Sequence, residues 1–200
     1  MTAFDLLRFQ DWTDPVPPAE REVVSLLPDE GEGHPPVLFV PGRRHSAAVF
    51  AEHWLPRTAG RGFPAHALTP RPGGDLRVQA HDAVQAAAAL PRQTVLVGHG
   101  TGAAAVARAL GRYPARAAVL VAPVFGRWRR TVPPRPVGAP PVLVVGSPDD
   151  RTVSPKALDR AAAAYGVAPL MFPGMGHDLM LEDSWAEPID AILDWLTKQL

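Results

Sequence analysis

The chain has 200 residues, no cysteine, and 20 basic side chains against 20 acidic ones, so its formal net charge is zero. The charge balance gives no sign of binding to nucleic acid or to an anionic membrane surface. The absence of cysteine excludes disulfides, thiolate metal sites and a cysteine nucleophile. Apolar residues make up 46% of the chain, which predicts one domain over residues 1–200 with a sizeable core.

The amino-terminal segment, residues 1–22, carries acidic residues and a tryptophan where a signal peptide needs a long apolar run. No apolar run approaches the roughly 18 residues of a membrane helix. We therefore expect a soluble, cytoplasmic protein that does not bind membranes. The segment also contains four large apolar residues that could cover either a sheet edge or the rim of a pocket, namely Phe4, Leu7, Phe9 and Trp12.

Short apolar runs alternate with longer helical patterns along the rest of the chain. Strands are predicted at Val23–Leu27, Val37–Val40, Ala65–Leu68, Thr94–Gly98, Ala117–Val121, Val142–Gly146 and Leu170–Phe172. Helices are predicted near 47–60, 75–90, 101–112 and 156–165, and from about 185. This alternation predicts an α/β fold with a mostly parallel sheet and helices on both faces.

Residues 127–141 form a short connector rich in arginine and proline, too short for a large cap domain and too proline-rich over 131–141 for a helix or central strand. Its first part could hold a carboxylate or phosphate, or could be a solvated loop; these residues are Arg127, Trp128, Arg129 and Arg130.

Ligands of parallel α/β sheets bind outside the carboxyl ends of the strands. The loops predicted there read "PGRRHSA" after Val40, "GHGTG" after Val97, "APVFGRWRR" after Val121, "GSPDDRTVSP" after Val145 and "PGMGHDLM" after Phe172. The fourth loop carries Asp149 and Asp150 and the fifth carries His177, and these side chains are suited to acid–base chemistry.

Together these loops resemble those of the α/β-hydrolase fold superfamily over roughly residues 35–200. "VLVGHGTG" is similar to the family's Gly-x-Ser-x-Gly nucleophile elbow, and an aspartate loop and a histidine loop follow in the order that the fold requires. The chain departs from the pattern at Gly100, which stands at the serine position, and at Pro41, where the family often has histidine.

The resemblance implies a role for each residue. His177 would be the catalytic base and Asp150 or Asp149 the orienting acid, and the "DRTV" that follows favours Asp150. The backbone amides of Arg43 and Thr101 would form an oxyanion hole beside Gly100. The predicted pocket residues are Pro41, Gly42, Arg44, His45, His99, Val124 and Phe125. We expect no cofactor and no metal, because the histidines lack metal-ligand spacing and the glycines do not fit a dinucleotide fingerprint.

Three functions remain open for a small-molecule partner with a carbonyl or ester group. The first is an enzyme that uses the His177–Asp base without a covalent step, for elimination, cyclisation or attack by water. The second is a serine esterase or thioesterase whose nucleophile was changed to Gly100. The third is a non-catalytic protein that binds a small ligand. The sequence leaves both a monomer and a homodimer open.

Overall fold

Seven strands form one sheet in this computed structural model, which describes residues 14–17, 19–29, 33–125 and 132–200. The strand order is β1-β3-β2-β4-β5-β6-β7. β1 runs antiparallel to β3, and every other neighbouring pair is parallel. The strands are β1 (Val23–Leu26), β2 (Val37–Val40), β3 (Ala65–Leu68), β4 (Val95–His99), β5 (Ala117–Val121), β6 (Val142–Gly146) and β7 (Leu170–Met171).

Six α-helices lie in the part of the chain that is described. They are α1 (Ala48–Ala51), α2 (Trp54–Gly60), α3 (Leu76–Ala88), α4 (Thr101–Ala109), α5 (Pro155–Ala164) and α6 (Ala186–Gln199). A short 3-10 turn, Leu179–Leu181, precedes α6. The α/β fold with a mostly parallel sheet is confirmed.

The sheet separates two apolar cores, because successive side chains of a strand point to opposite faces. Phe39 of β2 belongs to the core that α1, α2 and α6 cover, together with Trp54 and Leu193. Its neighbour Leu38 belongs to the core that α3, α4 and α5 cover. Since β4, β5 and β6 are buried along their whole length, their sequences are nearly continuous apolar runs rather than alternating ones.

The predicted helix at 47–60 is in fact two helices, α1 and α2, with His53 at the junction. Pro56 explains the break, because its backbone nitrogen has no hydrogen to donate to the carbonyl of Glu52 four residues earlier. Proline is tolerated in the first turn of a helix, where such donors have no partner in any case. The other predicted helices and all seven strands are present, with ends that shift by a few residues.

The connection between β5 and β6 contains no helix or strand within its described residues, 122–125 and 132–141. The arginines and tryptophan at 127–130 and the apolar residues Phe4, Leu7, Phe9 and Trp12 lie outside the described residues. Across the described ranges, no helix is both long and apolar enough to cross a membrane.

The stability of the fold depends on the packing of α6 against the sheet. Replacing Leu193, which is fully buried in α6, by alanine should lower the free energy of unfolding by about 2–5 kcal/mol, because it leaves a cavity. The matched control is Leu181→Ala, at a leucine that is 53% exposed, which should change it by less than about 0.5 kcal/mol. Urea unfolding curves would measure both, and equal losses would contradict this packing.

Candidate active site

The turn between β4 and α4 is the centre of the candidate site. Gly100 occupies the turn with φ 58° and ψ −120°, a left-handed conformation that glycine adopts at little cost. Its amide donates to the carbonyl of Val121 over 3.0 Å, and its carbonyl accepts from the amide of Val124 over 2.9 Å. These two bonds fix the turn to the end of β5.

Two further glycines let the backbone around this turn pack closely. A Cβ atom at Gly102 would overlap the carbonyl oxygens of Val40 and Pro41, at the end of β2. A Cβ atom at Gly98 would lie 2.6 Å from Ala103 Cα. Both contacts are to backbone atoms, which cannot rotate away as a side chain can. Glycine is therefore required at 98 and 102 by close approach.

His177 and Asp150 form a hydrogen-bonded pair beside the turn. His177 Nδ1 lies 2.8 Å from Asp150 Oδ2. The other carboxylate oxygen accepts from the amides of Thr152, over 2.6 Å, and Val153, over 3.0 Å. Burial raises the pKa of Asp150, but the hydrogen bonds from His177 and the two amides outweigh it, so the pKa lies below its ordinary value. Asp150 is thus held as a carboxylate that orients the imidazole.

Asp149, the alternative acid, makes a different connection. It is exposed, and its Oδ2 accepts from the amide of Gly174 over 2.7 Å. This bond ties the loop after β6 to the loop that carries His177. Of the two candidate aspartates, the structure brings Asp150 to the imidazole, and it gives Asp149 a position between loops.

The second nitrogen of His177 points toward Gly100. A Cβ atom built on Gly100 would lie 3.3 Å from His177 Nε2. The imidazole is thus fixed at one nitrogen by Asp150 and presents the other to the turn. A side chain at position 100 would fit after a shift of a few tenths of an ångström. The arrangement can accept a proton from a group located at that position.

The two predicted oxyanion donors lie next to each other, and one of them already has a partner. The amide of Arg43 donates to the hydroxyl of Thr101 over 2.9 Å. Pro41 and Gly42 are buried against the turn, and Arg43 and Arg44 are exposed. A substrate oxygen at this position would have to displace the Thr101 hydroxyl from the Arg43 amide. Such a displacement is a rotation about one side-chain bond.

His99 contacts the backbone of the loop that carries His177. Its side chain is 1% exposed, and burial lowers its pKa to about 4, so that the ring is neutral. Its Nε2 lies 3.1 Å from the backbone carbonyl of His177. Because a carbonyl oxygen only accepts, the hydrogen of the neutral ring resides on Nε2. The other ring nitrogen, Nδ1, has no hydrogen-bond partner among the described residues.

Asp178 is the residue of the site that the sequence analysis missed. Its Oδ1 lies 3.5 Å from His99 Nε2, and its Oδ2 lies 3.9 Å from His45 Nε2. Its position directly after His177 in a strand-end loop was the available signal. Among the predicted pocket residues, Val124 and Phe125 are half-buried and pack against the core that α3, α4 and α5 cover.

A cavity of about 620 Å³ lies elsewhere on the molecule. Pro15, Tyr113 and Val137 are among its lining residues, and neither His177 nor Asp150 is among them. The candidate site is therefore identified by the convergence of the dyad on the turn at Gly100 and not by this cavity.

The features described above define an α/β-hydrolase fold. The sheet is mostly parallel, a glycine-rich turn joins a central strand to a helix, and an aspartate loop and a histidine loop follow in that order. The chain belongs to the serine hydrolase family, whose family model matches residues 37–197. Family and fold together make it a hydrolase-fold enzyme. No curated protein matches the chain by sequence.

Solved structures share this fold at low sequence identity. A monoacylglycerol lipase from Paleococcus ferrophilus is 15% identical with a TM-score of 0.72, and the match covers 91% of this chain and 100% of that one. A putative non-heme bromoperoxidase from Mycobacterium tuberculosis H37Rv is 16% identical with a TM-score of 0.73, covering 91% and 97%. An esterase from Thermogutta terrifontis is 18% identical with a TM-score of 0.66, covering 92% and 90%. At these identities the similarity concerns the fold alone.

The close packing at the turn predicts that Gly102→Ala is strongly destabilising. The added methyl group would overlap two backbone carbonyls, which should lower the free energy of unfolding by about 3 kcal/mol, the upper end of the range typical of overpacking. The matched control is Gly60→Ala, where a Cβ atom meets nothing within 4 Å and alanine should stabilise by about 0.4–1 kcal/mol. Urea unfolding would compare the two, and similar effects would contradict the predicted overlap.

The lowered pKa of Asp150 predicts an acid dependence of stability. A carboxylate with a depressed folded-state pKa stabilises the protein above its unfolded-state pKa, about 3.9, and loses that contribution as the pH falls through the folded value. Below about pH 4, the unfolding free energy of the wild-type protein should therefore fall more steeply than that of Asp150→Asn. Asp183→Asn, at an exposed aspartate, should follow the wild type. Parallel curves for Asp150→Asn and wild type would contradict the pairing.

Proposed function

We propose that the protein hydrolyses a small ester-type substrate without a covalent enzyme intermediate, with His177 as general base and Asp150 as its orienting acid. The observation that carries this proposal is the dyad itself. His177 Nδ1 is hydrogen-bonded to Asp150 over 2.8 Å, and its Nε2 lies 3.3 Å from the position that a Cβ atom of Gly100 would take. The dyad is held in place beside Gly100, which has no nucleophilic side chain. His177 is therefore suited to activate a water molecule.

In the proposed reaction, a water molecule takes the place of a side-chain nucleophile at Gly100. His177 Nε2 accepts a proton from the water while the water oxygen bonds to the substrate carbonyl carbon. The carbonyl oxygen becomes an oxyanion that the amides of Arg43 and Thr101 stabilise. When the tetrahedral species collapses, the bond to the leaving alcohol breaks, and the alcohol takes the proton from His177. The products are an acid and an alcohol.

A second candidate is a serine hydrolase whose active site lacks only the nucleophile. It is favoured by the conformation of Gly100, since the turn at φ 58° directs position 100 toward His177. Restoring serine would require a shift of a few tenths of an ångström and a strained backbone that costs roughly 1–3 kcal/mol. Removing the nucleophile from a complete triad lowers turnover by about 10⁶-fold, so the two candidates differ greatly in the rate expected without serine.

The test compares p-nitrophenyl butyrate hydrolysis by the wild type, His177→Ala, Gly100→Ser and His53→Ala. We expect slow wild-type turnover that falls at least about 100-fold in His177→Ala, as is typical for loss of a general base. His53, a half-exposed histidine stacked on Trp185, is the matched control, because surface imidazoles also attack activated esters. Its replacement should leave the rate unchanged.

The other outcomes separate the alternatives. Turnover that appears only in Gly100→Ser, and disappears in Gly100→Ser combined with His177→Ala, would overturn the first candidate and support the second. If none of the variants turns over and the wild type still binds butyrate by calorimetry, the protein is a ligand-binding member of the family, and both catalytic candidates fail.

A further inference from the structure

The cavity of about 620 Å³ lies at the end of α4 that is remote from Gly100. Four separate segments form its walls: the amino-terminal segment at Pro15, α3 at His81, the turn after α4 at Tyr113, and the connector after β5 at Val137. The nine residues of α4 span roughly 13 Å at 1.5 Å per residue. The cavity is therefore a second location in the molecule, separate from the dyad.

The lining of the cavity is mostly apolar, and part of it cannot fill the space. The prolines and glycines of the lining carry no long flexible side chain; they are Pro15, Pro114, Pro136, Gly111 and Gly138. The hydroxyl of Tyr113 accepts from the amide of Thr94 over 3.0 Å, so the polar end of this side chain is occupied and its ring is what it offers to a ligand. Val137 is 96% exposed, where the cavity opens to solvent. Volume and lining both suit a small organic ligand.

Two basic side chains, His81 and Arg112, also line the cavity. The charged groups that act on His81 are three arginines and one aspartate, namely Arg21, Arg71, Arg112 and Asp82. Arg71 donates to the Asp82 carboxylate over 2.7 and 2.5 Å, and Arg21 donates to it over 3.2 Å. One carboxylate is thus shared by two arginines. Among these groups, positive charge is in excess beside the cavity.

The two basic side chains of the lining can take different parts in binding. Burial and the three arginines lower the pKa of His81, and Asp82 opposes them. The imidazole is therefore neutral at pH 7 and offers one donor and one acceptor. Arg112 has other interactions in the protein, but a guanidinium carries five N–H donors. It can therefore bind a carboxylate alongside the partners it already has.

The carboxyl end of α4 works against an anion at this location, because the last carbonyls of a helix carry partial negative charge. Here the amides of Arg112 and Tyr113 both donate to the carbonyl of Ala109, over 2.8 and 2.9 Å. These bonds reduce the negative charge that the helix end presents, and Arg112 brings a full positive charge to the same turn. The balance of charge at the cavity therefore favours an anion.

From these observations we propose that the cavity binds a small amphipathic anion, an apolar chain or ring that carries one carboxylate. The apolar part would contact Leu110, Tyr113 and Val137, and the carboxylate would face Arg112. The complementarity is between an apolar lining and an apolar body, and between an excess of arginine and an anionic head. The inference does not rest on the proposed function, because neither residue of the dyad lines the cavity.

The experiment measures binding to the full chain by calorimetry with three probes. Octanoate has both the apolar chain and the carboxylate, 1-octanol has the chain without the charge, and acetate has the charge without the chain. We expect octanoate to bind, 1-octanol to bind at least about 10-fold more weakly because a hydrogen bond to a charged group is lost, and acetate to give no detectable heat of binding.

Variants locate the bound octanoate. Val137→Asp places a negative charge at an exposed position of the lining and should weaken octanoate binding at least about 10-fold, because like charges repel. Its matched control is Leu27→Asp, at a leucine that is 58% exposed and outside this cavity, which should bind as the wild type does. Arg112→Met should also weaken binding at least about 10-fold, and Arg112→Lys, which keeps the charge, should bind more tightly than Arg112→Met.

The inference is overturned if the wild type binds no octanoate, if 1-octanol binds as tightly as octanoate, or if Val137→Asp and Arg112→Met both bind as tightly as Leu27→Asp. His177→Ala separates the cavity from the dyad and should keep the wild-type affinity. If octanoate affinity falls in His177→Ala and not in Val137→Asp, the acid binds at the dyad and the inference fails. If octanoate binds as expected and no variant turns over ester, the proposed function fails and the inference stands.

Discussion

The contact between the turn at Gly100 and the end of β2 determines the rest of the site. The backbone of Gly102 touches the carbonyls of Val40 and Pro41 so closely that any side chain at position 102 would overlap them. Because of this contact, the loop after β2 lies directly over the start of α4. The amide of Arg43 then reaches the hydroxyl of Thr101, and His45 reaches the neighbourhood of His99.

The order of the strands brings the remaining groups to the same place. β4 lies between β2 and β5, and β6 pairs with β5, so the carboxyl ends of these parallel strands all open at one edge of the sheet. The end of β5 is also the point where a residue other than glycine adopts a left-handed conformation, Ala122 with φ 42°. Strain of this kind is typical of functional sites. Here the strained residue, Ala122, directly follows Val121, whose carbonyl accepts the hydrogen bond from the amide of Gly100.

His99 contributes to the dyad although it does not belong to it. Through its Nε2 it holds the carbonyl of His177, and thereby the position of the imidazole that faces Gly100. Its other nitrogen is buried and has no hydrogen-bond partner within the described part of the chain.

The sequence by itself determined the seven strands, the order of the motifs and the chemistry available at the ends of the strands. Apolar runs and glycine-rich turns are local signals, and parallel strands bring their ends together in every fold of this class. Only the tertiary structure decided that Asp150 rather than Asp149 bonds to His177, that the Arg43 amide is paired with Thr101, and that Asp178 lies between two histidines. Neighbouring residues of a turn point in different directions, and the direction of each is set by contacts with distant segments, which no local pattern records.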